Sequence, residues 1–241
     1  MRFFKHALAV MGLSLGLVAV SASASPSAPV LGKDYTQLPQ QQPTDTDGKK
    51  IQVTEFFWYS CPHCNDLEPK LEDWVAKQGD KIAFKRVPIQ FDPRFLAQQK
   101  LYYTLEALNL VPAVHKKVFN AIHVEGQRLD NDDAIIGWAV KQGIDKKKFT
   151  DIYNSFAVNA KAMQAKQLQD AYKIDGVPTI AVDGLYITSP ATVGKAMNPP
   201  PTSNDALFAA TLQTLDSLIA KAEAAEKAKA AKPAAKAAVK K

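Results

Sequence analysis

The stretch Ile51-Gln52-Val53-Thr54-Glu55-Phe56-Phe57-Trp58-Tyr59-Ser60-Cys61-Pro62-His63-Cys64 decides the fold. It opens by alternating apolar and polar residues and then turns wholly apolar, the pattern of a buried strand. Asn65-Asp66-Leu67-Glu68 and the residues after it read as a helix. The two cysteines therefore sit on a strand-to-helix turn, with Cys61 at the helix N-terminus. Cysteines three apart on a helix share a face, so their sulfurs can meet and bond. Leu67, Leu71, Trp74 and Val75 keep helical spacing, and Cys64 falls on the same stripe, which predicts a buried Cys64 and an accessible Cys61. Pro69 is expected to kink the helix and Gly79 to end it.

Outward from this stretch, Lys81-Ile82-Ala83-Phe84-Lys85-Arg86-Val87-Pro88 reads as a second strand, completing a parallel, right-handed βαβ unit. Residues 92–172 are helical throughout, in five segments. The first starts at Asp92-Pro93, another runs from Pro112 to about His123, and Asn131-Asp132 caps a third. A fourth begins near Asp145, and the last covers about 158–172. The sheet resumes at Gly176-Val177-Pro178-Thr179-Ile180-Ala181-Val182, and Asp183-Gly184 marks a hairpin into Leu185-Tyr186-Ile187. A loop with Pro190 and Pro199-Pro200-Pro201 follows. Ser203-Asn204-Asp205 then caps a final amphipathic helix.

The ends differ from the body. Arg2 and Lys5, an apolar run from Ala7 to Val20, and Ala22-Ser23-Ala24 compose a secretory signal peptide over residues 1–24. Export to the periplasm places the chain where disulfides persist. Residues 25–48 are a lead-in with room for a short edge strand, too short for a separate dimerisation domain, so a monomer is expected. The net charge of +6 is misleading, because residues 221–241 carry seven Lys and two Glu and the signal peptide adds +2, leaving −1 for the body. That balance gives no reason to expect nucleic acid as a partner. The Ala/Lys tail is expected to fray, with Pro233 interrupting it.

The sequence resembles the DsbA family of periplasmic disulfide oxidoreductases. Glu55-Phe56-Phe57, Cys61-Pro62-His63-Cys64, the placement of the helical insert and Gly176-Val177-Pro178-Thr179 carry the resemblance. It implies an α/β, thioredoxin-like fold with an inserted all-helical domain, the sheet domain being residues 49–91 and 173–220 and the insert 92–172. It also implies an active dithiol at Cys61 and Cys64, a cis-proline at Pro178, a buried acid at Glu55 and a facing lysine at Lys85. Pro69, five after the second cysteine, is more like the kink of thioredoxin itself, and the Pro-rich loop and tail depart from the usual ending. The implied partners are unfolded exported proteins with free cysteines and a DsbB-like membrane quinone reductase.

The residues bear this chemistry on their own terms. A thiolate attacks disulfides and a thiol hardly does. Helix N–H groups, the helix dipole and His63 all favour a thiolate at Cys61. A structural disulfide or half a zinc site would use the same cysteines. Zinc needs about four ligands, and His63, His115 and His123 make no recognisable set. No metal or cofactor is expected. His115 and His123 read as ordinary helix residues, and Trp58, Tyr59 and Ser60 as packing around the site. Glu55 either faces solvent on an alternating strand or is a proton acceptor for Cys64, paired with Lys85. Val177 and Pro178 are the expected substrate-binding backbone. A disulfide isomerase or reductase, and a metal-binding or chaperone module, are the rival readings.

Overall fold

The computed structural model describes residues 26–238, so the signal peptide lies outside the described residues. Five strands form one mixed sheet in the order β1-β5-β4-β2-β3. The central strand, β2 (Ile51–Phe57), is buried at every position. It pairs in parallel with β3 (Ile82–Pro88) and antiparallel with β4 (Thr179–Val182). β5 (Tyr186–Thr188) follows β4 through the Asp183-Gly184 turn, and β1 (Thr36–Gln37) pairs antiparallel with β5 as the expected edge strand. Both turn residues have positive φ, 55° and 63°. A Cβ on Gly184 would come within 2.3 Å of the Gln42 carbonyl oxygen, so only glycine fits there.

Helix α1 (Pro62–Gln78) joins β2 to β3 and runs through Pro69 as one continuous helix, ending at Gly79. Between β3 and β4 lie α2 (Leu96–Ala107), α3 (Val111–His123), α4 (Asp132–Lys141), α5 (Lys146–Tyr153) and α6 (Phe156–Ala171), each within a few residues of its expected place. Asn131 and Asp145 accept the backbone N–H groups of Ala134 and Lys148, capping α4 and α5 as their sequence positions suggested.

Two apolar cores result. One lies where the sheet meets α1 and the C-terminal helix, with Ile51, Val53, Leu71, Trp74, Phe208 and Leu218 among its members. The other joins the far end of β2 to the helical insert. Phe57 is its pivot: fully buried, its ring lies 5.1–6.1 Å from those of Tyr59, Tyr102, His115 and Phe119. Such edge-to-face and tilted pairs add to the burial itself.

Two segments depart from the sequence reading. The stretch expected to be a loop after β5 contains a short helix, α7 (Pro190–Ala196), with the Ser189 hydroxyl accepting the Thr192 N–H and proline in the first turn. The tail does not fray at residue 221, because α8 runs unbroken from Asn204 to Ala238. Alanine and lysine favour helix, and side chains of the lead-in hold its middle. Lys221 donates to the Tyr35 hydroxyl at 2.6 Å, and Lys229 to Gln41 at 3.1 Å. No described helix is long and apolar enough to cross a membrane.

Replacing Phe57 with Ala removes a fully enclosed ring and is expected to cost about 3–5 kcal/mol of unfolding free energy, measured by denaturant titration. Phe156, 88% exposed at the start of α6, serves as the control, and Phe156→Ala is expected to change stability by less than about 0.5 kcal/mol.

Candidate active site

β2 delivers the chain into a tight turn at Trp58-Tyr59-Ser60, where the Cys61 N–H donates to the Trp58 carbonyl at 3.0 Å. Cys61 is the N-cap of α1, with Pro62 in the first turn. The Cys61 Sγ accepts the Cys64 N–H at 3.4 Å and lies 3.4 Å from the Val177 carbonyl oxygen. The turn before β4 thus reaches back over the dithiol, which the sequence places 116 residues away. Its Val177–Pro178 bond is cis. Cys61 is 6% exposed and Cys64 fully buried. The order is as expected, but Cys61 is more covered than a helix tip alone implies, because the Val177 turn sits on it. Both thiols are free.

The two sulfurs differ in acidity. Cys61 is lowered from 9.0 to about 6, first by the hydrogen bond from the Cys64 thiol. Partial burial opposes this, while the backbone N–H groups of Cys64 and His63 and the charge of His63 assist. Cys64 is raised well above 9.0 by burial, by its bond to Cys61 and by the charges of Cys61 and Glu55. His63 is exposed at the helix tip and is the weakest of these helpers.

Behind the dithiol lies a buried ionic cluster, and here the sequence expectation is corrected. Glu55 is 1% exposed, which removes the solvent-facing alternative. Its partner is Arg86, not Lys85: the Arg86 Nε donates to Glu55 Oε2 at 3.0 Å. Strand register explains the exchange. Glu55 lies beside Arg86 and Thr54 beside Lys85 in the parallel pair, and successive side chains take opposite faces. Lys85 consequently points to the other side and pairs with Asp45 at 2.6 Å, near solvent. Arg86 also donates to Glu68 Oε1 at 2.7 Å, so one guanidinium bridges two carboxylates. Burial raises Glu55 to about 7 and Glu68 to about 6 against the pull of the arginine.

The helical insert reaches this cluster through His115 on α3. Its Nδ1 is joined to the Tyr59 hydroxyl at 2.7 Å, and its Nε2 lies 3.6 Å from Glu68 Oε2. Burial and the neighbouring Arg86 charge lower His115 to about 3, so it is neutral at physiological pH. His123 Nε2 donates to the Tyr59 carbonyl at 2.8 Å. Two histidines that read as ordinary helix residues therefore bracket the tyrosine two places before Cys61. The sequence decided neither their burial nor their partner, because Tyr59 lies in another element.

Removing one member of a buried ion cluster leaves the others unpaired, so Arg86→Met is expected to destabilise by about 3–5 kcal/mol at pH 8. Without the arginine both carboxylates titrate higher, so the loss shrinks as pH falls and they take up protons. Lys85→Met, at a half-exposed pair, is expected to cost less than about 1 kcal/mol at either pH. Denaturant titrations at pH 8 and 5.5 separate the two.

Comparison with known proteins agrees with this geometry. The DSBA-like thioredoxin domain matches residues 52–199. The thiol:disulfide interchange protein DsbA of Burkholderia cepacia is 47% identical over 187 residues, covering 78% of this chain and 88% of the relative. That of Bordetella parapertussis is 40% identical over 208 residues, covering 86% and 93%. The crystal structure of Pseudomonas aeruginosa DsbA superposes with a TM-score of 0.73 at 35% identity, covering 82% of this chain and 96% of that one. The chain belongs to the DsbA-like thioredoxin family of disulfide oxidoreductases.

Proposed function

We propose that this oxidoreductase works in the periplasm as an oxidase, donating a Cys61–Cys64 disulfide to newly exported proteins with free cysteines. The observation that carries the reading is the unequal pair: Cys61 at about 6 and Cys64 well above 9.0. Only the reduced enzyme has a thiolate to stabilise, so lowering Cys61 favours the reduced enzyme and makes its disulfide more oxidising. Each tenfold gain in this preference is worth about 30 mV in a two-electron couple. DsbA is the well-known extreme of both effects, a lowered thiol and a strongly oxidising disulfide, so the direction follows the family.

In the proposed cycle, a substrate thiolate attacks the Cys61 sulfur and the Cys61–Cys64 bond breaks. Cys64 leaves with the bonding pair and takes up a proton. A second substrate thiolate then attacks the substrate's own sulfur in the mixed disulfide. The substrate departs oxidised and Cys61 departs as a thiolate, stabilised by the Cys64 N–H and thiol. Glu55, poised near neutrality, exchanges the proton with Cys64 and accepts it when the dithiol is reoxidised. A DsbB-like membrane quinone reductase removes the two electrons. Val177 and Pro178 offer backbone to an extended substrate beside the sulfurs, as in strand addition. Pro62 fixes the first turn of α1, and His63 adds charge at its tip. Lys85 has no part in the Glu55 pair, and its role passes to Arg86.

Two measurements follow. The ultraviolet absorbance of the thiolate in the reduced protein should titrate with a midpoint near 6, and a midpoint at the free-cysteine value sinks the mechanism. The same lowering makes the reduced protein gain stability over the oxidised one as pH rises from about 6 towards 9.0, and lose it as pH falls through about 6. Comparing the two redox forms cancels the opposite pH dependence of Glu55 and Glu68, which both forms share.

Equilibration with glutathione tests the oxidase reading itself. The dithiol is expected to predominate even in mildly reducing buffer. An enzyme that stays oxidised there is a poor donor of disulfides.

A further inference from the structure

Glu55 on β2 and Glu68 on α1 share one guanidinium, that of Arg86 on β3. Glu55 is the acid whose charge bears on Cys64. The third neighbour of the cluster is His115 on α3, whose Nε2 stands 3.6 Å from Glu68 Oε2. Both of those atoms are buried, and neither has a hydrogen-bond partner.

A neutral imidazole has one N–H and one bare nitrogen, so His115 can meet Glu68 in two ways. The contact with His115 Nδ1, at 2.7 Å, is the one hydrogen bond of the Tyr59 hydroxyl among the described residues. A proton on Nδ1 would leave the hydroxyl hydrogen idle and set the bare Nε2 against a carboxylate oxygen, lone pair to lone pair. With Tyr59 donating to Nδ1, the proton sits on Nε2 and its positive end faces Glu68. The second arrangement serves both contacts.

We propose that His115, held by Tyr59 with its Nε2–H towards Glu68, is a positioning residue that keeps Glu68 ionised and so leaves the shared proton of the cluster on Glu55. This rests on the reading above that Glu55 exchanges a proton with Cys64, and adds what keeps the proton on that acid.

Two acids on one arginine titrate as a pair, so favouring charge on one drives the proton to the other. A donor aimed at a carboxylate favours its charged form. The remaining neighbours lean the same way or cancel. Arg86 lies closer to Glu68, at 2.7 Å, than to Glu55, at 3.0 Å. Around Glu68, Lys116 on α3 favours the charge and Glu72 on α1 opposes it, and these two pair with each other at 3.0 Å. Around Glu55, the charge of Glu68 itself opposes ionisation. Tyr59 and Tyr102 on α2 are pushed up by burial and stay neutral. A protonated His115 would draw on Glu55 as well, but burial keeps the ring neutral. What remains is an N–H dipole, which fades faster with distance than a charge and acts on the group it faces.

Carbon-13 NMR of the glutamate carboxyl groups in the reduced protein reads where the proton sits, with Glu55→Gln and Glu68→Gln assigning the two signals. The wild-type protein is expected to titrate Glu55 near 7 and Glu68 near 6. A glutamine side chain places an amide N–H close to the Nε2 position of the imidazole, whereas asparagine reaches only as far as Nδ1. His115→Gln is therefore expected to keep a separation of at least about half a unit, and His115→Asn to fall below it. Any other pattern, including equal separations in the two variants or a reversed order in the wild-type protein, overturns the inference. Nitrogen-15 NMR of the His115 ring needs no variant: a proton on Nε2 supports the assignment and a proton on Nδ1 overturns it. Both readouts report ionisation alone. If instead Glu55→Gln leaves the pH dependence of Cys64 attack on a Cys61–glutathione mixed disulfide unchanged, the Glu55 role falls while the placement of the proton stands.

Discussion

One guanidinium sits between two carboxylates where water does not reach, and much of the site is arranged around it. Arg86 bonds Glu55 at 3.0 Å and Glu68 at 2.7 Å, with both acids almost fully buried. Two negative charges against one positive leave a proton shared near neutral pH, because neither burial nor the arginine wins outright. The cluster ties three elements together: β2 through Glu55, α1 through Glu68 and β3 through Arg86. The insert adds a fourth through His115, which is also bonded to Tyr59. The turn that carries Cys61 is thereby fixed from behind by polar contacts and from the side by the Phe57 rings.

Fixing the turn is what lets two identical side chains behave so differently. Cys61 and Cys64 are three residues apart on one helix, yet one is an acid near 6 and the other is held far above 9.0. The asymmetry is geometric. At the N-cap a sulfur accepts the Cys64 thiol and backbone N–H groups, whereas one turn later burial and the charges of Cys61 and Glu55 hold the proton on the second sulfur.

Local patterns in the sequence placed β2, β3 and the five inserted helices well, because alternation, caps and apolar stripes are readable within a dozen residues. The dithiol and the Val177-Pro178 turn were legible for the same reason, helped by family resemblance. Pairing across strands was not. Lys85 and Arg86 are adjacent cations, and only the register against Thr54 and Glu55 decides which one faces inward. His115 was read as an ordinary helix residue because its partners, Tyr59 and Glu68, lie in other elements and no local rule links them. The Ser189-Pro190 start of α7 did carry a recognisable signal, a capping hydroxyl followed by proline, which the surrounding prolines masked.

The long helix α8 has a mechanical meaning beyond its packing. Its first turns, Asn204 and Leu207, stand beside His63, while Lys229 meets the lead-in near the Asp183-Gly184 hairpin at the opposite end of the sheet. Thirty-five residues at about 1.5 Å each make a rod of roughly 50 Å. Cargo attached at its far end, whether a dye, a bead or a surface linker, is held at the pole opposite the reacting sulfurs. The molecule thus comes with a built-in handle, and immobilisation through it leaves the catalytic face turned outward.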